Sequence, residues 1–313
     1  MTAATVSSPI AGRPQRPKRS SAFWAAFAAP GVGWLLAFFV VSVYAVMAVA
    51  FGAVDPILKT AEPKWNPFAW DFAAMSRILD RVFNGDLGQV FVRTGIYIAL
   101  ALAGCALIGY PIAYYAARVV KRRRGLLLAA LVLPFWISYL MRMLAWTNLL
   151  QPDGYVNKVL QWLHLMDEPR NWLNGDPYTV IIGLVYGYVP FFILPLFSSL
   201  ERLDGRLIEA GRDLGASAFQ TFRRITLPLS VPGLLAASVI TILPMAGDYY
   251  TNTYLTSGSP KTTMVGNQIE FFLQRSSQPQ SGASLVLLLM ACLFVLMMYY
   301  LVTTIRMQRA SER

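Results

Sequence analysis

This 313-residue chain has one histidine, two cysteines and a charged fraction of only 14%. His164 stands alone in a polar stretch and reads as a surface residue rather than a metal ligand. Cys105 and Cys292 lie inside apolar runs without ligand-like spacing, so both read as small buried hydrophobes. The sequence has no H-E-x-x-H, no metal-ligand cluster and no nucleophile elbow, which leaves a membrane enzyme without a catalytic constellation. Nor is there a G-x-x-x-x-G-K-S/T phosphate loop, since GSPKT at Gly258 to Thr262 has the wrong spacing. The chain is therefore expected to hold no metal and no nucleotide of its own.

Apolar residues are abundant instead. At 56% hydrophobic the chain is far more apolar than a soluble domain of its size. Six runs have about the 20 residues needed to cross the hydrocarbon: Gly31 to Gly52, Gly95 to Ala117, Leu126 to Leu150, Tyr178 to Leu200, Leu229 to Gly247 and Ala283 to Ile305. The first is too long for a signal peptide and lacks a cleavage site. Backbone groups in lipid must be satisfied within their own segment, so the expected fold is all-α, an integral membrane domain of six transmembrane helices over 23–305. Residues 1–22, rich in Ser, Pro and basic residues, read as a disordered tail, and 306–313 as a second tail.

Charge sets the orientation. The two tails and the 118–124 and 201–228 loops together carry 17 Lys and Arg, against 9 in the three opposite loops, and those opposite loops hold 11 of the 16 acids. The positive-inside rule then puts both termini in the cytoplasm of a multi-pass protein of the cell membrane. The net charge of +11 is accounted for by this asymmetry and does not require a nucleic-acid partner.

The first outer loop, about 53–93, mixes prolines with Trp65, Phe68, Trp70 and Phe72, aromatics suited to the membrane interface. Asp71 to Phe83 reads as a short amphipathic helix with Phe72, Met75, Ile78, Leu79 and Val82 on one side. In the second, 151–177, Val156, Leu160 and Leu163 again have helical spacing, and 262–273 reads as a short helix on or just dipping into the outer surface. The fourth span contains Pro190 and Pro195, which delete helix hydrogen bonds, and a Gly183/Gly187 pair that permits close packing.

Two charges stand out along a possible translocation pathway. Arg142, in PFWISYLMRMLAW with Trp146 one turn on, lies well inside a span, where a charge is costly. It must face a partner or a water-filled cavity, or else snorkel outwards or pair with a carbonyl or acid. Asp248, in PMAGDYYTNTYL, falls at the outer end of the fifth span beside Tyr249, Tyr250 and Tyr254. An acid among electron-rich rings suits a passing amine, and it equally suits an interfacial belt.

The segment from Glu209 to Pro228, EAGRDLGASAFQTFRRITLP, is polar and interrupted by glycine, yet apolar runs flank it, so it must be a loop outside the lipid. Glu209, Arg212 and Asp213 fall on one helical face, beside a small apolar stripe of Ala210, Leu214 and Ala218. Gly215 can take a positive φ where one helix gives way to the next, and Pro228 suits the first turn of a following helix.

Glu209, Ala210, Gly211, Gly215, Ile225, Leu227 and Pro228 resemble the E-A-A-x3-G-x9-I-x-L-P signature of ABC-importer membrane subunits. Gly211 departs from it by replacing the second alanine. The stretches PFWISYLMRMLAW, GDYYTNTYL and MVGNQI extend the resemblance from Ile96 to Ile305, towards the first permease of spermidine/putrescine-type importers. That wider group also takes opines, phosphonate, thiamine and iron. The resemblance implies that Glu209, Ala210, Gly211, Arg212, Asp213, Gly215, Ala216, Ile225, Leu227 and Pro228 form two short coupling helices that dock on an ATPase. It also implies a second, homologous permease, two ATPase subunits that bind ATP and Mg, and an extracytoplasmic binding protein that delivers a small-molecule substrate. An ion-coupled secondary transporter would use Arg142 and Asp248 as coupling charges, but it leaves the 201–228 loop without a role.

Overall fold

The computed structural model describes residues 21–311 except 56, 58, 59, 121, 276 and 277. The expected tail at 1–22 lies outside these residues up to residue 20, and helix begins at Ser21. The chain divides into Met1–Ala45 and Val46–Arg313. Helix α1 (Ser21–Ala50) supplies the described part of the first unit, and its last turn belongs to the second.

The second unit is built from α2 (Ala73–Phe83), α3 (Asp86–Arg118), α4 (Arg124–Val132), α5 (Tyr139–Leu150), α6 (Tyr155–Trp162), α7 (Pro177–Glu201), α8 (Gly205–Asp213), α9 (Ala218–Thr221), α10 (Leu227–Ala246), α11 (Tyr250–Leu255), α12 (Val265–Glu270) and α13 (Pro279–Ser311). A two-residue antiparallel ribbon, Ala53–Val54 with Ala61–Glu62, is an addition to the all-α expectation, in the loop after the first span. Among the described residues five helices are long and apolar enough to cross a membrane, Ala26–Ala50, Asp86–Arg118, Pro177–Glu201, Ala218–Ala246 and Pro279–Arg306, and the bent pair Arg124–Trp136 with Tyr139–Leu150 makes six if it is one span.

The expected span Leu126 to Leu150 is not one continuous helix. Arg124–Trp136 and Tyr139–Leu150 meet at 85°. Pro134 lies in the 3-10 turn Leu133–Trp136, and Ile137 and Ser138 follow with extended ψ angles of 137° and 140°. Proline removes a helix donor and its ring crowds the preceding turn, so this residue was the sequence signal for the break.

Helix α7 occupies the centre of the second unit. Val180, Leu184, Phe192, Ile193, Leu196 and Leu200 on it are buried together with Tyr97, Ala101, Cys105 and Ala113 of α3 and Ala237 of α10. Close approach depends on small residues. A Cβ at Gly104 would lie 2.7 Å from Val185, and one at Gly109 would lie 2.9 Å from Phe192. Cys105 is buried here, as the sequence suggests, whereas Cys292 is exposed on α13.

The described parts of the loops expected on the outer side contain the helices that their spacing suggests. Helix α2 forms as expected and buries Ile78 against Leu87, Phe272 and Leu285. Helix α6 half-buries Val156 and Leu160, whereas Leu163 is exposed. Its fully buried side chain is polar: Asn157 donates to the carbonyls of Gln151, Pro152 and Arg170 and accepts from Trp172 Nε1 at 2.9 Å. His164 lies exposed on the surface with a φ of 55°. Helix α12 is a correction, because it is packed into the bundle and does not lie on its surface. Met264 and Val265 are buried, Val265 N donates to Thr94 Oγ1 of α3 at 3.0 Å, and a Cβ at Gly266 would meet the Gly247 carbonyl at 2.6 Å. At the other end, helix α13 runs through the expected 306–313 tail as far as Ser311.

Candidate functional site

The loop between α7 and α10 is held by local chemistry. Asp204 caps α8 by accepting from Arg206 N at 3.0 Å. The helix ends at Gly215, whose φ is +85°. Gly215 N donates to Arg212 O at 2.9 Å and Ala216 N to Gly211 O at 3.1 Å, the paired bonds of a Schellman closure. Ser217 then starts α9 with a capping box, accepting from Gln220 N while Gln220 Oε1 accepts from Ser217 N. Gly211 is buried because the tip of Ile225 rests on it, where a Cβ would sit at 2.5 Å. This contact is the physical setting for glycine at a position where the signature has alanine.

The second short helix of this loop is not separate from the membrane. Helix α9 passes through a π-helical turn, Phe222–Thr226, directly into α10, giving one helix over Ala218–Ala246. Leu227 N reaches back to Phe222 O, five residues earlier, and Pro228 follows this wide turn. Its missing N–H therefore falls where the hydrogen-bond ladder is already shifted. Phe222 stands edge-on to Tyr110 and Tyr114 of α3, at 5.6 and 5.8 Å. The capped loop is thus tied to two long helices, while Leu207, Leu214 and Phe219 on it remain exposed. Glu209, Arg212 and Asp213 are exposed beside them, and Ala216 is half-buried.

A second cluster forms where the bend between α4 and α5 turns Tyr139 and Arg142 toward α7. Tyr139 fits there because α7 has glycine at 187, where a Cβ would approach the phenol oxygen to 2.6 Å. The Gly183/Gly187 pair therefore accommodates side chains of α5 and α11: Tyr139 at Gly187, and Leu255 and Thr251 at Gly183. Tyr139 donates to Asp248 Oδ2 at 2.9 Å. Asp248 also accepts from Thr251 N at 3.2 Å and from the Thr251 hydroxyl. The carboxyl is 5% exposed and has exchanged water for these donors. It does not stand open at an outer mouth, which corrects the expectation from its position after the fifth span. Tyr249 and Tyr250 do accompany it, stacked at 4.1 Å, and Tyr254 stacks on Tyr250 at 6.3 Å.

Arg142 lies on the other side of Tyr139. Its Cζ is 4.3 Å from the Phe135 ring centre, 5.1 Å from Tyr139 and 6.0 Å from Tyr186. Trp146 continues the aromatic wall at 5.2 Å from Tyr186. Arg142 neither snorkels nor pairs with an acid, since it is 8% exposed and enters no ion pair among the described residues. Phe135, Tyr139 and Tyr186 were not singled out by sequence reasoning. Two of them lie in the PFWISYLMRMLAW stretch, and Tyr186 adjoins Gly187. Among the described residues no group of three His, Cys, Asp or Glu could hold a metal ion.

Residues 109–307 match the family model described as a binding-protein-dependent transport system inner membrane component. The chain is 32% identical to the spermidine/putrescine transport system permease protein PotB of Salmonella typhimurium over 282 residues, 90% of this chain and 94% of that protein. It is 35% identical to PotB of Haemophilus influenzae over 268 residues, 85% of this chain and 89% of that one. A solved bacterial ABC transporter involved in alginate import superposes with a TM-score of 0.66 at 19% identity, covering 91% of this chain and 95% of that chain, a likeness of fold. With the signature loop, the apolar spans and these matches together, the chain belongs to the family of binding-protein-dependent transport system inner membrane components, the permeases of ABC importers.

Proposed function

We propose that this chain is one of two different permeases of an ATP-driven importer of polyamines, with both termini in the cytoplasm. The observation that carries the coupling role is the capped loop at Glu209 to Pro228. Exposed Leu207, Leu214 and Phe219 on a rigid support offer an apolar face to an ATPase subunit, with Glu209, Arg212 and Asp213 beside it. ATP and Mg are bound by that partner and not by this chain. Movement of the loop passes into the membrane through the continuous helix 218–246 and through Phe222 on α3. An extracytoplasmic binding protein delivers the solute.

The polyamine assignment rests on the names of the relatives and on Asp248 among tyrosines. In the observed arrangement Asp248 is saturated by Tyr139 and Thr251. An ammonium group reaches it only when Tyr139 withdraws, so the acid has different affinity in different states. That difference is what directional transport requires, because a site of equal affinity in all states shifts nothing. The test is ATP-dependent uptake of labelled spermidine and putrescine into proteoliposomes holding the complete complex and its binding protein. Uptake that requires ATP and competes with unlabelled polyamine supports the reading. Preferential uptake of an anionic solute overturns the polyamine assignment and leaves the importer role in place.

A further inference from the structure

Arg142 is a buried cation whose requirements are only half met. Three aromatic rings lie against the guanidinium and attract its charge. Rings offer nothing to N–H groups that point along the guanidinium plane. Nε and Nη1 are both buried and have no acceptor among the described residues. Asp248 is no remedy, since it is occupied by Tyr139 and Thr251. Nε and Nη1 lie on different edges of the guanidinium, each edge completed by Nη2, and a carboxylate brought to either edge takes two N–H groups at once.

The two charges are joined through one residue. Tyr139 bonds Asp248 through its hydroxyl and lies against Arg142 with its ring. A solute with an ammonium group at one end and a carboxylate at the other complements this pair, whereas the far end of a diamine meets a like charge. We propose that Arg142 is a carboxylate-recognition site, and that the solutes of this importer include ω-amino carboxylates as well as diamines. This rests on the importer reading above and on Asp248 receiving an amine.

The experiment is equilibrium binding to the purified permease–ATPase complex in nanodiscs, without the binding protein, so that selection by that protein does not enter. The probes are labelled ω-aminopentanoate and diaminopentane. The unaltered complex binds both. Arg142→Gln weakens ω-aminopentanoate on the order of tenfold or more, as expected for losing charge-assisted hydrogen bonds, and strengthens diaminopentane by removing a like charge. Arg142→Lys falls between the two for the carboxylate, because it keeps the charge without the planar fork. Opposite responses of the two probes separate recognition from misfolding, since a disrupted protein loses both. Absence of ω-aminopentanoate binding to the unaltered complex, equal affinity in Arg142→Gln, or parallel loss of both probes in both variants overturns the proposal. Binding of diaminopentane alone sinks it while sparing the polyamine reading, and binding of neither sinks both.

Discussion

Helices α7 and α13 are both apolar enough to span a membrane, yet 56% of the most apolar stretch of α7 is buried inside the protein against 6% for α13. Hydropathy does not distinguish them, because lipid tails are as apolar as leucine. The difference lies in surface relief. Helix α7 has Gly183 and Gly187 on one stretch of its surface and receives Thr251, Leu255 and Tyr139 there. Helix α13 places Phe294, Val295 and Tyr299 outward in a region without such recesses. Small residues on α7 let neighbours approach closely enough for dispersion contacts and polar bonds to form, and the Tyr139–Asp248 cluster sits in that relief.

The largest expected effect comes from filling the relief. Gly187→Leu drives a side chain into Tyr139, and overpacking of this kind costs about 1–3 kcal/mol. It also removes the Tyr139 bond to Asp248. The purified complex should unfold at a temperature several degrees lower and lose solute uptake. Equal thermal stability would mean that α7 is no more tightly packed than α13.

Next is the Glu209–Pro228 loop, which lies outside both helices and is governed by backbone conformation. Nothing lies within 4 Å of a Cβ built at Gly215, but its φ is +85°. Gly215→Val should therefore act through strain of about 1–2 kcal/mol, and Gly215→Asn should be much milder because asparagine tolerates this region. The readout is ATPase stimulation by solute-loaded binding protein, expected to fall in the valine variant with the complex still assembled. A valine variant with full stimulation would remove strain at Gly215 from the account.

Asp248→Asn sharpens the comparison by keeping the packing and removing the charge. An amide oxygen still accepts from Tyr139 and Thr251, so assembly should persist while polyamine uptake falls on the order of tenfold. Unchanged uptake would take Asp248 off the pathway. The smallest effects belong to α13: Phe294→Ala and Val295→Leu should shift stability by no more than about 0.5 kcal/mol, as exposed positions generally do. A large loss at either residue, read in the same unfolding assay, would reveal a buried partner surface there.

Much of the fold was legible because its signals are local. Run lengths gave six spans, five of which are continuous helices and one a bent pair, and the spacing of Ile78 and Val82 gave α2. The signature Glu209 to Pro228 gave a loop whose turn needs glycine at 215, which is what Gly215 supplies. The kink before α5 was less visible, since Pro134 permits a break without fixing where the next helix points. Helix α12 looked superficial because six residues of mixed polarity carry no burial signal on their own. The partners that bury it, Thr94 and Gly247, are about 170 and 20 residues away in the chain. Asn157 was missed for a similar reason: its role is to bond carbonyls of a loop that exists only once folded.

By itself the sequence determined that this chain is a membrane permease with a polar, glycine-containing loop between two spans, because hydrophobic length and a fixed pattern of small, charged and proline residues act within a few turns of helix. It also marked Arg142 and Asp248 as costly charges in need of partners. Only the tertiary structure decided what those partners are. The 85° bend places Tyr139 against Gly187, bonds it to Asp248 and lays its ring beside Arg142. Burial and hydrogen-bond satisfaction depend on what other segments bring to the same place, and no local pattern encodes that.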